Sequence, residues 1–279
     1  MKLISYFGTL ALLLLISCSD KPPILQVDSL FTLLPEDYTH LKFENTLSDE
    51  MNFNVFKYRN YYNGGGVAIG DINNDGLPDV YLVANHKPNK LFLNQGDLRF
   101  QDVTKQAGVA GSHAWSTGVC LVDVDGDGRL DIYVCNSGNI KGDNRANELF
   151  LNQGNRKNGV PKFVEAAAEY GIGDTGFSTH AAFFDYDRDG DLDLYVLNNA
   201  FRAMSTFDLS KNLRHERDPH GGGDRLYRND DGTFVDVSDQ AGILGSVIAF
   251  GLGVSVSDLN NDGWLDIYIA NDFFERDYL

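Results

Sequence analysis

The chain has 279 residues, 43% of them hydrophobic and 23% charged, enough for a packed core and inconsistent with wholesale disorder. Its 40 acidic and 23 basic residues leave a net charge of −17, which repels phosphate backbones, argues against a nucleic-acid partner and favours divalent cations. Three cysteines are too few for a disulfide framework, and 29 glycines beside 7 prolines point to many tight turns rather than to a flexible linker.

Residues 1–18 begin Met1-Lys2, run through apolar residues from Leu3 to Ile16 and end in Ser17-Cys18. A short positive start before an apolar stretch of this length reads as a secretory signal, too short for a comfortable membrane span. Its end, Leu15-Ile16-Ser17-Cys18, resembles the bacterial lipobox. That resemblance implies a lipidated Cys18 and a protein exported to the bacterial outer membrane or cell surface. An ordinary signal peptide with a chance cysteine is the plainer alternative. Residues 19–40 follow as a tether, stiffened at its start by Pro22-Pro23.

From residue 41 to 279 one unit is written four times. Its core is a nine-residue pattern, starting at Asp71, Asp123, Asp185 and Asp258 and ending at Asp79, Asp131, Asp193 and Asp266. An apolar segment precedes each copy, and Val80-Tyr-Leu-Val83, Ile132-Tyr-Val-Cys135, Leu194-Tyr-Val-Leu197 or Ile267-Tyr-Ile-Ala270 follows it. These following segments are short, apolar on both parities and rich in β-branched and aromatic residues, so they predict strands buried on both faces. In three copies a second pair of strands comes next, Leu91-Phe-Leu-Asn94 with Phe100–Val103, Leu149-Phe-Leu-Asn152 with Phe163–Ala166, and Leu226-Tyr-Arg-Asn229 with Phe234–Val237. Four short strands per unit, joined by glycine-rich turns, describe a propeller blade, and the predicted fold is an all-β propeller of about four blades.

The nine-residue loop carries the chemistry. Asp71, Asn73 and Asp75, Asp123, Asp125 and Asp127, Asp185, Asp187 and Asp189, and Asp258, Asn260 and Asp262 place hard oxygens at alternate residues. A glycine at the sixth position permits a sharp turn. The carbonyl of the seventh residue (Leu77, Arg129, Asp191 or Trp264) adds a ligand, and the ninth aspartate closes the cage. Such an oxygen set suits Ca²⁺, with about four ions, one per loop, and the lack of soft ligands argues against zinc or copper. The first six positions also match an EF-hand, but its twelfth-position glutamate is replaced by Leu82, Val134, Val196 and Ile269, and strands rather than helices flank the loops.

These loops, with the Leu-aromatic-x-Asn…Gly…Phe hairpins after them, resemble the FG-GAP/VCBS repeats of calcium-loaded propellers. The segments Trp115-Ser-Thr-Gly-Val119 and Phe177-Ser-Thr-His-Ala181 look closest to the cartilage-acidic-protein-like (ASPIC/UnbV) branch. The resemblance covers residues 41–279 and implies calcium ligation by the aspartates and asparagines named above.

Arg276-Asp277-Tyr278-Leu279 reads as the lead-in to a further Leu-aromatic-x-Asn strand, so a propeller fragment of a longer chain is expected. Phe43-Glu-Asn-Thr46 resembles the outer strand Phe100-Gln-Asp-Val103 and is expected to complete the last blade. Cys120 and Cys135 flank the second loop, either as small buried residues or as a cross-strand disulfide. The one large insertion, 200–223, is by default a solvated loop, with ligand contact as the alternative. His113, His180, His215 and His220 are more readily packed or hydrogen-bonded than catalytic. The leading expectation is a non-enzymatic, calcium-stabilised module that binds protein or glycan, with no catalytic residues and no organic cofactor. The rival is an exported enzyme scaffold, which convergence of His180 and Arg217 on one mouth of the channel would favour.

Overall fold

The computed structural model describes residues 30–112, 115–138, 145–200, 207–208, 210–218, 222–273 and 275–279. The expected signal segment, the expected lipidation site Cys18, the start of the expected tether, His113 and His220 lie outside the described residues. Pro35–Leu279 form one compact unit.

Among the described residues that unit is a row of antiparallel sheets. The first holds β1 (Val67–Gly70), β2 (Asp79–Leu82), β3 (Lys90–Asn94) and β4 (Phe100–Asp102) in that order. The second holds β5 (Ser116–Val122), β6 (Asp131–Asn136), β7 (Glu148–Asn155) and β8 (Pro161–Glu165). The third holds β9 (Ser178–Phe184), β10 (Asp193–Asn198), β11 (Arg225–Asp230) and β12 (Thr233–Asp236). The fourth pairs β13 (Gly251–Ser257) with β14 (Asp266–Asn271), and Ile269 and Tyr278 then exchange both backbone hydrogen bonds, at 2.9 and 3.0 Å. Each sheet is a meander of short strands, and the first strands pack side by side, β5 against β1 and β9, and β13 against β9. This is the predicted β-propeller, with three four-stranded blades and a two-stranded fourth.

The double-sided burial expected of all four second strands holds in the two sheets that have a neighbour on each side, whereas β2 is half-buried at Val80 and Leu82 and β14 leaves Tyr268 exposed. β6 and β10 are buried along their whole length. Ile132 and Val134 face the cluster shared with the first sheet, while Tyr133 and Cys135 face the cluster shared with the third. A further cluster around Tyr195, Leu197, Leu226 and Ile269 joins the third sheet to the fourth. Apolar burial of this kind stabilises by about 25 cal/mol per Å².

One expectation is corrected, and one pair of alternatives is decided. Phe43–Thr46 is not a strand of the fourth sheet: Asn45 and Asn85 exchange hydrogen bonds at 2.7 and 3.0 Å, which ties this segment to the first sheet. Cys120 and Cys135 are free thiols. The strand register sets Cys120 opposite Tyr133, and its Sγ contacts the Ala181 carbonyl of β9 at 2.9 Å, so the two sulfurs have different neighbours.

One element lay outside the repeat pattern. Residues 50–63 contribute Phe53, Tyr58 and Tyr61, which pack with Trp115 and Phe177 in a buried aromatic cluster. The Phe53 and Tyr61 rings lie 4.9 and 5.1 Å from Trp115, and the Tyr58 hydroxyl bonds Ser137 at 2.9 Å. Trp115 and Phe177 directly precede β5 and β9, so this cluster lies at the end of those strands opposite the repeated loops.

Candidate metal centre

Each nine-residue loop joins the first strand of a sheet to the second. The curl is set by backbone conformation: the fourth residue is left-handed in every copy, with φ of 56° at Asn74, 69° at Gly126, 65° at Arg188 and 59° at Asn261. The sixth residue is always a glycine at positive φ, a conformation costly for other side chains. The first aspartate then caps the turn. Asp71 accepts the N–H groups of Asp75 and Gly76 at 3.0 and 2.8 Å, Asp123 those of Asp127 and Gly128 at 3.0 and 2.9 Å, and Asp258 those of Asp262 and Gly263 at 3.1 and 2.8 Å. Asp185 instead accepts from Arg188 at 2.6 Å and Gly190 at 3.2 Å.

In two of the loops the third residue joins the first and the ninth. Carboxylate oxygens of Asp123, Asp125 and Asp131 lie within 4.8 Å of one another, as do those of Asp185, Asp187 and Asp193. In the first and fourth loops the third residue is an amide: Asn73 donates to Asp75 at 2.8 Å and Asn260 to Asp262 at 3.0 Å. The fifth aspartates, Asp75, Asp127, Asp189 and Asp262, each accept the N–H of the seventh residue at 2.8–3.1 Å.

The seventh side chains diverge. Leu77 is apolar. Arg129 pairs with Asp127 and donates to the Asn152 carbonyl at 2.8 Å. Trp264 lies 3.8 Å from the Arg188 guanidinium of the neighbouring loop. Asp191 adds a fifth carboxylate to the third loop, and burial, then Asp189 and Asp187, push its carboxyl up.

The ninth aspartate does more than close a cage. One oxygen of Asp79, Asp131 and Asp193 accepts the N–H of the loop's second residue, Ile72, Val124 or Tyr186, at 2.8–3.0 Å. The other accepts the N–H of Asn94, Asn152 or Asn229 on the third strand, at 2.7–2.9 Å. Asp266 makes the first of these bonds, to Leu259 at 2.9 Å. Burial pushes the carboxyls of Asp79, Asp131 and Asp193 up to about 6 against the pull of their backbone donors. A bound cation would reverse that penalty, because a nearby opposite charge favours the ionised form.

The motif's asparagine was legible, but its task was not. Asn94, Asn152 and Asn229 donate to the carbonyl of the loop's eighth residue, at 3.0–3.3 Å, and accept from the glycine of the next hairpin at 2.7–3.0 Å. Asn152 also reaches the Ile72 carbonyl at 2.9 Å, and Asn155 that of Asn73 at 2.6 Å, so the second sheet holds the first loop. Between the second and third loops there is instead a cavity of about 510 Å³, lined by Asp123, Asp125, Tyr170, Asp191 and Asp231 among others.

The donor set is oxygen throughout, and two of its buried oxygens, Asp187 Oδ1 and Asp191 Oδ1, have no hydrogen-bond partner. Both facts fit a hard cation such as Ca²⁺. The rival candidates are engaged separately. His180 is exposed on β9, with Nδ1 2.8 Å from the adjoining backbone, while Arg217 pairs with Asp239 at 2.5 Å. His215 ends a short 3₁₀ turn of the insertion.

Comparison with known proteins bears on the same residues. A family model for the FG-GAP-like repeat matches residues 71–134 and 217–269. Cartilage acidic protein 1 of Xenopus tropicalis is 31% identical over 214 residues, covering 76% of this chain and 29% of that protein. The proteins of that name from Mus musculus and Homo sapiens are 30% and 29% identical over 211 and 212 residues, again 76% of this chain. The chain thus spans under a third of the length of these curated relatives.

Proposed function

Because this chain is built from FG-GAP-like repeats and is homologous to cartilage acidic protein 1, we propose that it is a calcium-stabilised propeller that binds a protein or a glycan outside the cell. The observation that carries this reading is the loop geometry, in which the same turn recurs at the same point of every sheet and, in the second and third copies, brings three carboxylates within 4.8 Å of one another. Calcium would be held by Asp71, Asn73, Asp75 and Asp79, by Asp123, Asp125, Asp127 and Asp131, by Asp185, Asp187, Asp189 and Asp193, and by Asp258, Asn260, Asp262 and Asp266. The ion supplies charge neutralisation and a crosslink between the first two strands. The chain's own groups fix its place: the first aspartate orders the turn, and the ninth ties the loop to the third strand.

Extracellular calcium modules bind with dissociation constants of about 10⁻⁴–10⁻³ M. Lipidation at Cys18 would retain such a module at the cell surface and set it facing its ligand. Since a ligand that binds only the native state stabilises it, the melting temperature should rise by several degrees with millimolar calcium and fall on chelation. A melting temperature indifferent to chelator sinks the calcium reading. Calcium-dependent retention of protein or glycan from an immobilised panel tests the binding role.

A further inference from the structure

Resting on the calcium reading, we propose that the third loop, Asp185–Asp193, is the one that fills first. The four loops share a pattern but not a state. In the first, second and fourth, the third residue's Oδ1 is already committed to the fifth residue's N–H: Asn73 to Asp75 at 3.2 Å, Asp125 to Asp127 at 3.3 Å and Asn260 to Asp262 at 2.8 Å. In the third loop, Asp185 Oδ1 takes the N–H of the fourth residue, Arg188, rather than that of the fifth. Asp187 Oδ1 is left buried without a donor.

Asp191 adds to this. It stands where the other loops have Leu77, Arg129 and Trp264, and its Oδ1 is likewise buried and unpartnered. An unsatisfied buried oxygen costs free energy that an incoming cation removes, whereas elsewhere the ion must compete with hydrogen bonds already made. Charge points the same way. The third loop carries five carboxylates, Asp185, Asp187, Asp189, Asp191 and Asp193, while Asp127 of the second is already paired with Arg129. The third loop's own cation is turned away, for Arg188 lies 3.8 Å from Trp264 and opposes a cation in the fourth loop instead. Ligand charge count is a main determinant of calcium affinity in oxygen cages.

The test is a calcium titration of the chelator-stripped full chain, solubilised in detergent, by calorimetry and tryptophan fluorescence. Trp264 makes the third and fourth loops visible, since the only other tryptophan, Trp115, is 2% exposed within the aromatic cluster. The expected result is a tightest step weakened about tenfold or more in Asp191→Leu and weakened less in Asp191→Asn. Both Asp191 variants leaving that step unchanged overturns the order of filling. No calcium binding by the unaltered chain overturns the calcium reading itself, so the two failures are distinguishable.

Discussion

Asp224 puts a carboxylate where the first two sheets carry an amide. Asn89 accepts the N–H of Ala84 at 3.0 Å, Asn147 that of Asn136 at 2.8 Å, and Asp224 that of Asn198 at 3.0 Å. Beside each stands a buried tyrosine; Asn147 donates to Tyr133 at 3.0 Å, whereas Tyr195 donates to Asp224 at 2.8 Å. Burial pushes the Asp224 carboxyl up to about 7, helped by the charge of Asp174 and resisted by its two donors. Because the folded value lies above the unfolded one, near 3.9, the ionised form is penalised in the native state. The penalty is absent below about pH 4, grows as pH rises to about 7 and is then constant. Asp224→Asn should therefore stabilise the protein by about 2–4 kcal/mol at pH 8 and change little at pH 4, as read from urea midpoints. A gain independent of pH would refute this account. The position was open to inspection in the sequence, two residues before Leu91, Leu149 and Leu226, but an isolated Asn or Asp is also a common turn residue.

At the scale of the element, the first strands approach one another through main chain. A Cβ added to Gly118 of β5 would meet the Thr179 carbonyl of β9 at 2.6 Å, while one added to Gly253 of β13 would meet nothing within 4 Å. Gly118→Ala should therefore push β5 from β9 and cost about 1–3 kcal/mol, as overpacking does. Gly253→Ala should lie within about 0.5 kcal/mol of the parent, as substitutions away from packed features do. Chemical denaturation of the pair checks both, and equal losses would show that spacing is not the cause. This contrast also marks what the sequence could reveal. Strands and loops were legible because apolar runs and Asp-Gly turns recur in register, so each copy corroborates the others. Residues 50–63 occur once, and nothing periodic announces that Phe53, Tyr58 and Tyr61 gather around Trp115. The segment around Phe43 was misplaced because its likeness to an outer strand says nothing of the amide pair between Asn45 and Asn85.

Across the whole molecule, the strand ends differ in kind. One end carries the ionic loops, where much of the net charge of −17 is concentrated, and the other the aromatic cluster. On the calcium reading proposed above, withdrawing the ion should therefore loosen one end alone. Amides of Asp75, Gly76, Asp127 and Gly128 should exchange with solvent faster, while Tyr61, Ser116 and Ser137, bonded to Tyr58, Ala84 and Trp115, keep their protection. Hydrogen exchange read by mass spectrometry separates this from a uniform loosening. The clusters between sheets have a different consequence. Each of the three apolar clusters joins one sheet to the next, and the aromatic cluster ties Trp115 and Phe177, at the starts of the second and third sheets, to residues 50–63. Pulled by its two ends, such a molecule yields at one boundary at a time, and each rupture leaves the remaining sheets packed. The load it bears is then set by its weakest seam, and added sheets lengthen its reach without raising its breaking force.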